Sequence, residues 1–179
     1  MSTKNYNKYL SLSGIKTSYW GPNAWNFLFC SILGTYPEKI DNKNKDHIKI
    51  KKEFKSMFKG LCYILPCIFC RESYSKFIKE IPIDEYLSGR IELFHWLYKL
   101  KDKVNKKLIT QEMECFKNEH TKLLNKLKEN KINKVEYKCL HDKLKKETLL
   151  TKKSPPFIEV LNHYESYRAG CSKKFKKCA

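Results

Sequence analysis

The sequence predicts an all-α protein, a four-helix bundle with a helical C-terminal extension. Apolar residues recur three to four positions apart in four successive segments before residue 110. Prolines stand where one helix should give way to the next, and no segment alternates polar and apolar residues over the length of a β-strand. Amphipathic helices joined by short links are typical of a small bundle.

The first two helices are each bounded by proline. Gly21-Pro22 is predicted to open the first helix, because proline suits the first helical position, and Pro37 follows its end. Its apolar stripe consists of Trp25, Leu28, Phe29, Ile32, Leu33 and Tyr36. A polar loop over 38–46 leads to the second helix, which Pro66 ends. Its stripe consists of Ile50, Phe54, Met57, Phe58, Leu61 and Leu65.

The third helix is predicted to begin at Cys67-Ile68-Phe69-Cys70 and to end before Pro82. It should bury Tyr74, Phe77, Ile78 and Ile81. The fourth helix has the strongest period and is predicted to end near Leu108. Its stripe consists of Leu93, Trp96, Leu97, Leu100, Val104 and Leu108.

The chain becomes rich in lysine and glutamate after Leu108. Residues 110–152 predict two charged helices with a break near 130–133, and Pro155-Pro156 starts a last helix. We expect a flexible arm over 1–17, a main domain over 18–116, a charged helical extension over 117–169 and a basic, cysteine-containing tail over 170–179.

The net charge is +18, from 37 basic and 19 acidic residues, of which only Arg71, Arg90 and Arg168 are arginines. Lysine excess of this kind also follows from an A/T-rich coding sequence. Because base-specific readout favours arginine, specific nucleic-acid binding is not expected. No apolar run suggests a signal peptide or a membrane span, so we expect a protein of the cytosolic side.

Eight cysteines are many for a reducing compartment, and Cys67 and Cys70 form a CxxC motif. Two thiols at the first turn of a helix can close a small disulfide, while the helix N-terminus stabilises a thiolate. A thioredoxin-like frame needs a β-strand before the motif, and helix is predicted on both sides. A zinc site needs four ligands, and the other cysteines and the histidines are scattered singly.

Three motifs together carry a family resemblance. They are Trp20-Gly21-Pro22-Asn23-Ala24-Trp25, Pro66-Cys67-Ile68-Phe69-Cys70-Arg71 and Val104-Asn105-Lys106-Lys107-Leu108. In this order and at these distances they resemble the Erv/ALR family of FAD-linked sulfhydryl oxidases over about residues 19–116. In its short length and in its lack of the family's histidines, the chain most resembles the small members encoded by large cytoplasmic DNA viruses.

The resemblance implies a helical bundle that binds FAD and forms a homodimer. It places Cys70 against the isoalloxazine ring and makes Cys67 the exposed sulfur that exchanges with thiol-containing protein substrates. Electrons would pass from the CxxC to FAD and then to oxygen, giving hydrogen peroxide. The resemblance to viral members suggests the cytoplasm, with a viral factory or virion of a DNA virus as the compartment.

Other positions carry over from the family one at a time. Those expected near the cofactor are Trp20, Gly21, Trp25, Phe29, Lys101, Asn105 and Lys107. Phe29 and Lys101 stand where the family has histidines, and Lys101 could instead pair with the pyrophosphate. Trp25 could equally be a core residue, and Lys101 a solvated lysine.

The remaining cysteines admit several roles. Cys171 and Cys178 are candidate shuttle thiols on the tail, with a local structural disulfide as the alternative. Cys30 and Cys62 are expected as buried free thiols on apolar faces. Cys115 falls where many family members place a cysteine after the fourth helix.

Two other functions stay open. One is an FAD-free helical scaffold of this fold that binds a partner or a polyanion, an alternative kept by the missing histidines. The other is a zinc-stabilised interaction domain.

Overall fold

A computed structural model describes residues 14–169. The helices in this range are α1 (Thr17–Thr35), α2 (Lys45–Ile64), α3 (Ile68–Glu80), α4 (Arg90–Lys128), α5 (Lys134–Thr148) and α6 (Phe157–Glu165), with a short 3-10 helix at Ile83–Tyr86. Strand-like pairing among the described residues is limited to isolated bridges, Gly14 with Cys67 and Lys39 with Gly89. The predicted all-α class is confirmed.

The chain divides into two compact units. Of the described residues, 14–100 and 156–169 belong to the first unit and 101–155 to the second. The domain limits expected from the sequence, with the main domain at 18–116, stay a prediction. None of the helices within 14–169 is long and apolar enough to cross a membrane.

The core of the first unit lies where the apolar stripes of α1 to α4 meet. Side chains with almost no exposure include Phe29, Ile32, Tyr36, Phe58, Leu93, Phe94, Trp96, Leu97 and Leu100. Polar atoms in this core are paired: the Tyr36 and Tyr74 hydroxyls donate to the Leu87 and Phe58 carbonyls, at 2.9 and 2.8 Å. The stripes predicted for the first three helices are confirmed, as is that of α4 up to Leu100.

The first helix starts earlier than predicted. It begins at Thr17, and Pro22 lies inside it rather than at its first position. The upstream turn is closed by a hydrogen bond from the Tyr19 N–H to the Lys16 carbonyl and by one from the Trp20 indole to the Ile15 carbonyl. These hydrogen bonds stabilise the first turn of α1, which the apolar periodicity of the sequence does not predict.

The prediction that the fourth helix ends near Leu108 is wrong. Helix α4 continues to Lys128, because no glycine or proline interrupts 90–128 and pairs such as Lys106 with Asp102, 2.6 Å apart, support the exposed turns. The predicted break near 130–133 is confirmed. Asn130 has a φ of 55°, and Asn133 begins α5 with a capping box to Glu136.

The last helix packs into the first unit. The Tyr164 ring stacks on Phe29 with ring centroids 4.8 Å apart, and its hydroxyl donates to the Asn26 side chain at 2.8 Å. Phe157 contacts Phe94 and His95. Helix α6 therefore closes one face of the bundle, although it lies more than fifty residues after Leu100.

The second unit consists of the end of α4, helix α5 and the segment after it. The Glu112 carboxylate accepts hydrogen bonds from the Leu150 and Thr151 N–H groups, at 3.0 and 2.8 Å. An aromatic cluster joins the two helices, and it consists of Phe116, His120, Tyr137 and His141. Packing of these rings, together with the capping box at the start of α5, stabilises the pair of helices α4 and α5.

Candidate active site

The two cysteines of the CxxC lie at the start of α3. Cys67 is the N-cap, with extended backbone, and its carbonyl accepts hydrogen bonds from the N–H groups of Cys70 and Arg71, at 3.1 and 3.0 Å. Pro66 separates this turn from α2, which ends at Ile64. The sequence prediction that α3 begins at the motif is confirmed.

Cys67 and Cys70 are both half-buried. Partial burial acts to raise the pKa of the Cys67 thiol, but hydrogen bonding opposes it. The Cys70 side chain and the backbone N–H groups of Cys70 and Phe69 donate toward the Cys67 sulfur, and Arg71 adds a positive charge. The net effect lowers the pKa of Cys67, as expected for a sulfur at a helix N-terminus.

An extended segment before α1 crosses the start of the motif. Gly14 forms an antiparallel bridge with Cys67, and the Ile15 N–H donates to the Pro66 carbonyl at 2.9 Å. Because the Ile15 carbonyl accepts from the Trp20 indole at 3.1 Å, hydrogen bonds connect α1 to the turn that carries Cys67. We call residues 14–16 the strap.

Arg71 also contacts the turn that precedes Cys67, through its side chain. Its guanidinium donates to the Leu65 carbonyl at 2.6 Å, and the residue is half-buried. A guanidinium bonded to a carbonyl keeps its full positive charge. The turn 65–67 is therefore held by the strap and by Arg71.

Trp20, Gly21 and Trp25 lie on α1. Trp20 reaches the strap through its indole and stays partly exposed. Apart from its chain neighbours and the backbone of its own helix, no atom lies within 4 Å of the position that a Cβ on Gly21 would take, so the space beside this glycine is open. Trp25 packs against the core and stays partly exposed, so it contributes to the core, and its contact with a cofactor stays a prediction.

Phe29, which the family resemblance places near the cofactor, lies in the core of the first unit. Phe29 is 0% exposed, between the rings of Phe94 and Tyr164 at 4.7 and 4.8 Å. A ring without polar atoms at the centre of an apolar stripe is most stable when it is covered. Phe29 is a core residue.

Lys101, Asn105 and Lys107 belong to the second unit. Lys101 is half-buried, burial lowers the pKa of its amine, and this amine has no ion-pair partner within the described part of the chain. Asn105 donates from its side-chain amide to the Ser154 hydroxyl at 3.0 Å. Lys107 is also half-buried.

The remaining cysteines differ from expectation. Cys30 is exposed rather than buried, because it lies one position past Phe29 and so faces away from the apolar stripe of α1. Cys62 is half-buried against the core. Cys115 is exposed within the continuous α4, not after its end. The shuttle candidates Cys171 and Cys178 lie outside the described residues.

Comparison with known proteins decides the family. A sequence model of the Erv1 / Alr family matches residues 22–138, well over half of the chain. The chain belongs to the Erv1/Alr family. The family match covers the CxxC, α1 from Pro22 onward and all of α4.

A similar relative is the mitochondrial FAD-linked sulfhydryl oxidase ERV1 of Saccharomyces cerevisiae, 30% identical over 95 residues. The match covers 53% of this chain and 46% of that protein, so the chain spans about half of the relative's length. Among solved structures, the yeast Erv1 core has a TM-score of 0.45 and 26% identity, covering 55% of this chain and 75% of that chain.

The residues expected at an FAD site are compatible with it in each unit taken by itself. In the first unit Trp25 stays partly exposed, and in the second unit Lys101 offers a half-buried amine without an anionic partner among the described residues. The dithiol supplies the redox partner that a flavin requires. Phe29 has no exposed surface in this structure, because Tyr164 and Phe94 cover it, and its cofactor role stays a prediction.

Sequence reasoning missed the strap and the position of α6. Residues 14–16 have no periodicity, and their contacts are made by backbone atoms, which sequence patterns do not report. Arg71 offered a better signal, since it is one of three arginines in a lysine-rich chain and directly follows the motif. Within residues 14–169 there is no group of three or more His, Cys, Asp or Glu side chains placed to hold a metal ion.

Proposed function

We propose that the protein is an FAD-linked thiol oxidase that forms disulfide bonds in protein substrates. The observation that carries this proposal is the Cys67–Cys70 dithiol at the N-terminus of α3, in a member of the Erv1/Alr family. The yeast relative is an FAD-linked sulfhydryl oxidase by name. The lowered pKa of Cys67 and the partial exposure of this residue suit exchange with an incoming thiol.

The oxidised motif would react by thiol–disulfide exchange. A substrate thiolate attacks the Cys67 sulfur, the Cys67–Cys70 bond breaks, and Cys70 leaves with the electron pair of that bond. A second substrate thiolate then attacks the substrate sulfur of the mixed disulfide, and Cys67 leaves. The substrate gains one disulfide and the motif becomes a dithiol.

The chemistry that FAD supplies when bound is acceptance of the electron pair left on the two sulfurs, with oxygen as the final acceptor and hydrogen peroxide as the product. The residues that the family resemblance assigns to holding FAD are Trp20, Gly21, Trp25, Phe29, Lys101, Asn105 and Lys107. A half-buried lysine amine suits the pyrophosphate, because a charge-assisted contact offsets its desolvation.

The finer parts of the proposal come from the family resemblance. They are a homodimer, oxygen as acceptor, shuttling by Cys171 and Cys178, similarity to viral members, and a cytoplasmic location in a viral factory or virion. The strong positive charge is compatible with acidic protein substrates, because opposite charges speed association.

An absorption spectrum of the purified full chain, with and without Cys70→Ala, tests the function. We expect both proteins to be yellow from bound flavin and only the unchanged protein to consume oxygen with a dithiol substrate. Equal oxygen consumption by both would remove Cys70 from the mechanism. A colourless protein that cannot be loaded with FAD would overturn the enzyme proposal.

One observation favours the second candidate, an FAD-free scaffold that binds a partner or polyanion. Tyr164 covers Phe29, which occupies the position of a family histidine. Under this alternative the protein stays colourless after incubation with FAD and retains affinity for a polyanion such as heparin. Tight flavin binding at one FAD per chain would exclude it.

A further inference from the structure

Arg71 is one of only three arginines in a lysine-rich chain, and it lies directly after the CxxC motif. It directly follows Cys70, its N–H donates to the Cys67 carbonyl at 3.0 Å, and its guanidinium donates to the Leu65 carbonyl at 2.6 Å. The side chain therefore folds back over the turn that precedes the first sulfur. A lysine could supply the charge there but not the planar fork that reaches a carbonyl while staying beside the turn.

We propose that Arg71 is a positioning residue for thiol–disulfide exchange: its guanidinium fixes the turn 65–67 and places a positive charge at Cys67, so that Cys67 is the sulfur released when the substrate disulfide closes. This inference concerns the exchange half of the proposed function and does not depend on the flavin. The oxidant in that half-reaction is the Cys67–Cys70 disulfide itself.

The step in question is the second exchange. The substrate's remaining thiolate attacks the substrate sulfur of the mixed disulfide, the bond to Cys67 breaks, and Cys67 departs as a thiolate. A leaving sulfur departs faster when its thiolate is more stable. Arg71 acts on this sulfur through charge, whereas Cys70 and the helix N–H groups act through hydrogen bonds.

Few other charged groups act on this site. The groups that influence the Cys67 thiol are Cys70, the Phe69 backbone and Arg71, all on α3, and Arg71 is the one that acts through charge. The strap contacts the turn through Gly14 and Ile15, and its one charged residue, Lys16, is not among the groups that shift the pKa of Cys67. Leu65 and Pro66, at the end of the preceding segment, carry no side-chain charge. Because Arg71 provides the charge, removing it should have an effect that no neighbour replaces.

The test compares Arg71→Gln and Arg71→Lys with Lys76→Gln, which removes an exposed positive charge from the same helix. In the reduced full chain, alkylation of Cys67 by iodoacetamide is followed against pH, with the modified cysteine located by fragment mass spectrometry. We expect Arg71→Gln to react about threefold more slowly at pH 7, with its profile displaced to higher pH. Lys76→Gln should match the unchanged protein.

A second measurement is the equilibrium of the motif with glutathione. Because loss of the charge destabilises the Cys67 thiolate, the disulfide should become harder to reduce in Arg71→Gln, again by about threefold in the equilibrium constant. Arg71→Lys should restore the alkylation profile to within about twofold, since it keeps the charge. A merely structural role would lower thermal stability without moving either readout.

Arg71→Gln could fail to fold, and the unchanged protein then provides the test. At about 1 M salt the screening length is about 3 Å, so the alkylation profile of Cys67 should move to higher pH than in dilute buffer. Profiles of Arg71→Gln and Lys76→Gln that coincide, or a profile insensitive to salt, would overturn the inference. A colourless protein with the expected profiles would refute the flavin proposal alone.

Discussion

Gly14 has a φ of +103°, a region that favours glycine, and a Cβ at this position would overlap the carbonyl oxygen of Pro66. The strap therefore approaches the turn before Cys67 as closely as backbone allows. This single residue explains how the chain before α1 reaches the active-site turn.

Gly14→Ala should lower the free energy of unfolding by about 1–3 kcal/mol, because the left-handed backbone becomes strained and the strap must move. Urea denaturation measures this change. The matched control is Gly60→Ala within α2, where an added methyl meets no atom within 4 Å. It should be neutral or stabilising by up to about 1 kcal/mol, and equal effects of the two substitutions would contradict the assignment.

The buried hydroxyl of Tyr36 makes the stability of the fold depend on pH in the alkaline range. Burial raises the pKa of Tyr36 to about 12, and its hydroxyl donates to the Leu87 carbonyl. The unfolded chain ionises this group near pH 10, so the folded state loses stability as pH rises from about 10 toward 12.

We expect Tyr36→Phe to be less stable than the unchanged protein at pH 8 by about 1 kcal/mol, from the lost hydrogen bond. The difference between the two proteins should shrink or reverse by pH 11, since only tyrosine must lose its proton on unfolding. Urea denaturation at both pH values provides the measurement. A difference that does not change with pH would show that Tyr36 ionises normally.

Some residues of the candidate site could be predicted from the sequence, and others could not. The cysteines were found because their spacing and the neighbouring proline are local signals. Gly14 and Arg71 act through backbone carbonyls of distant or folded-back residues, which no spacing rule reports. The burial of Phe29 could not be predicted, because the ring that covers it, Tyr164, lies outside the residues that match the family.

At the scale of elements, helix α6 is the main departure from expectation. Its apolar stripe and its start after Pro155-Pro156 were predictable, but its partners were not, because more than fifty residues separate it from the rest of the first unit. The continuation of α4 past Leu108 was missed for a different reason. The apolar stripe fades there, but nothing in 109–128 breaks a helix.

Tyr164→Ala should destabilise the protein by about 2–4 kcal/mol, because it removes a ring packed on Phe29 and leaves a cavity. Tyr164→Phe should cost about 1 kcal/mol, from the hydrogen bond to Asn26. Hydrogen exchange over 157–165 should become faster in the alanine variant. Tyr167→Ala, at a side chain 66% exposed, is the control and should change stability by less than about 0.5 kcal/mol.

In the molecule as a whole, the bundle places the dithiol at the N-terminus of α3. The strap and the Arg71 side chain both contact the turn that precedes it. The strap ties the dithiol turn to α1, where Trp20 and Trp25 stay partly exposed. Helix α6 adds a covered aromatic face to the same unit. We therefore assign the thiol chemistry to the turn 65–71.

The most direct test of this account is anaerobic reduction of the FAD-loaded full chain by a dithiol substrate. We predict that the visible absorption of the flavin disappears in the unchanged protein and persists in Cys67→Ser and Cys70→Ser, with the same flavin content in all three. Bleaching of either serine variant at the rate of the unchanged protein would contradict the claim that electrons reach the flavin through Cys67 and Cys70.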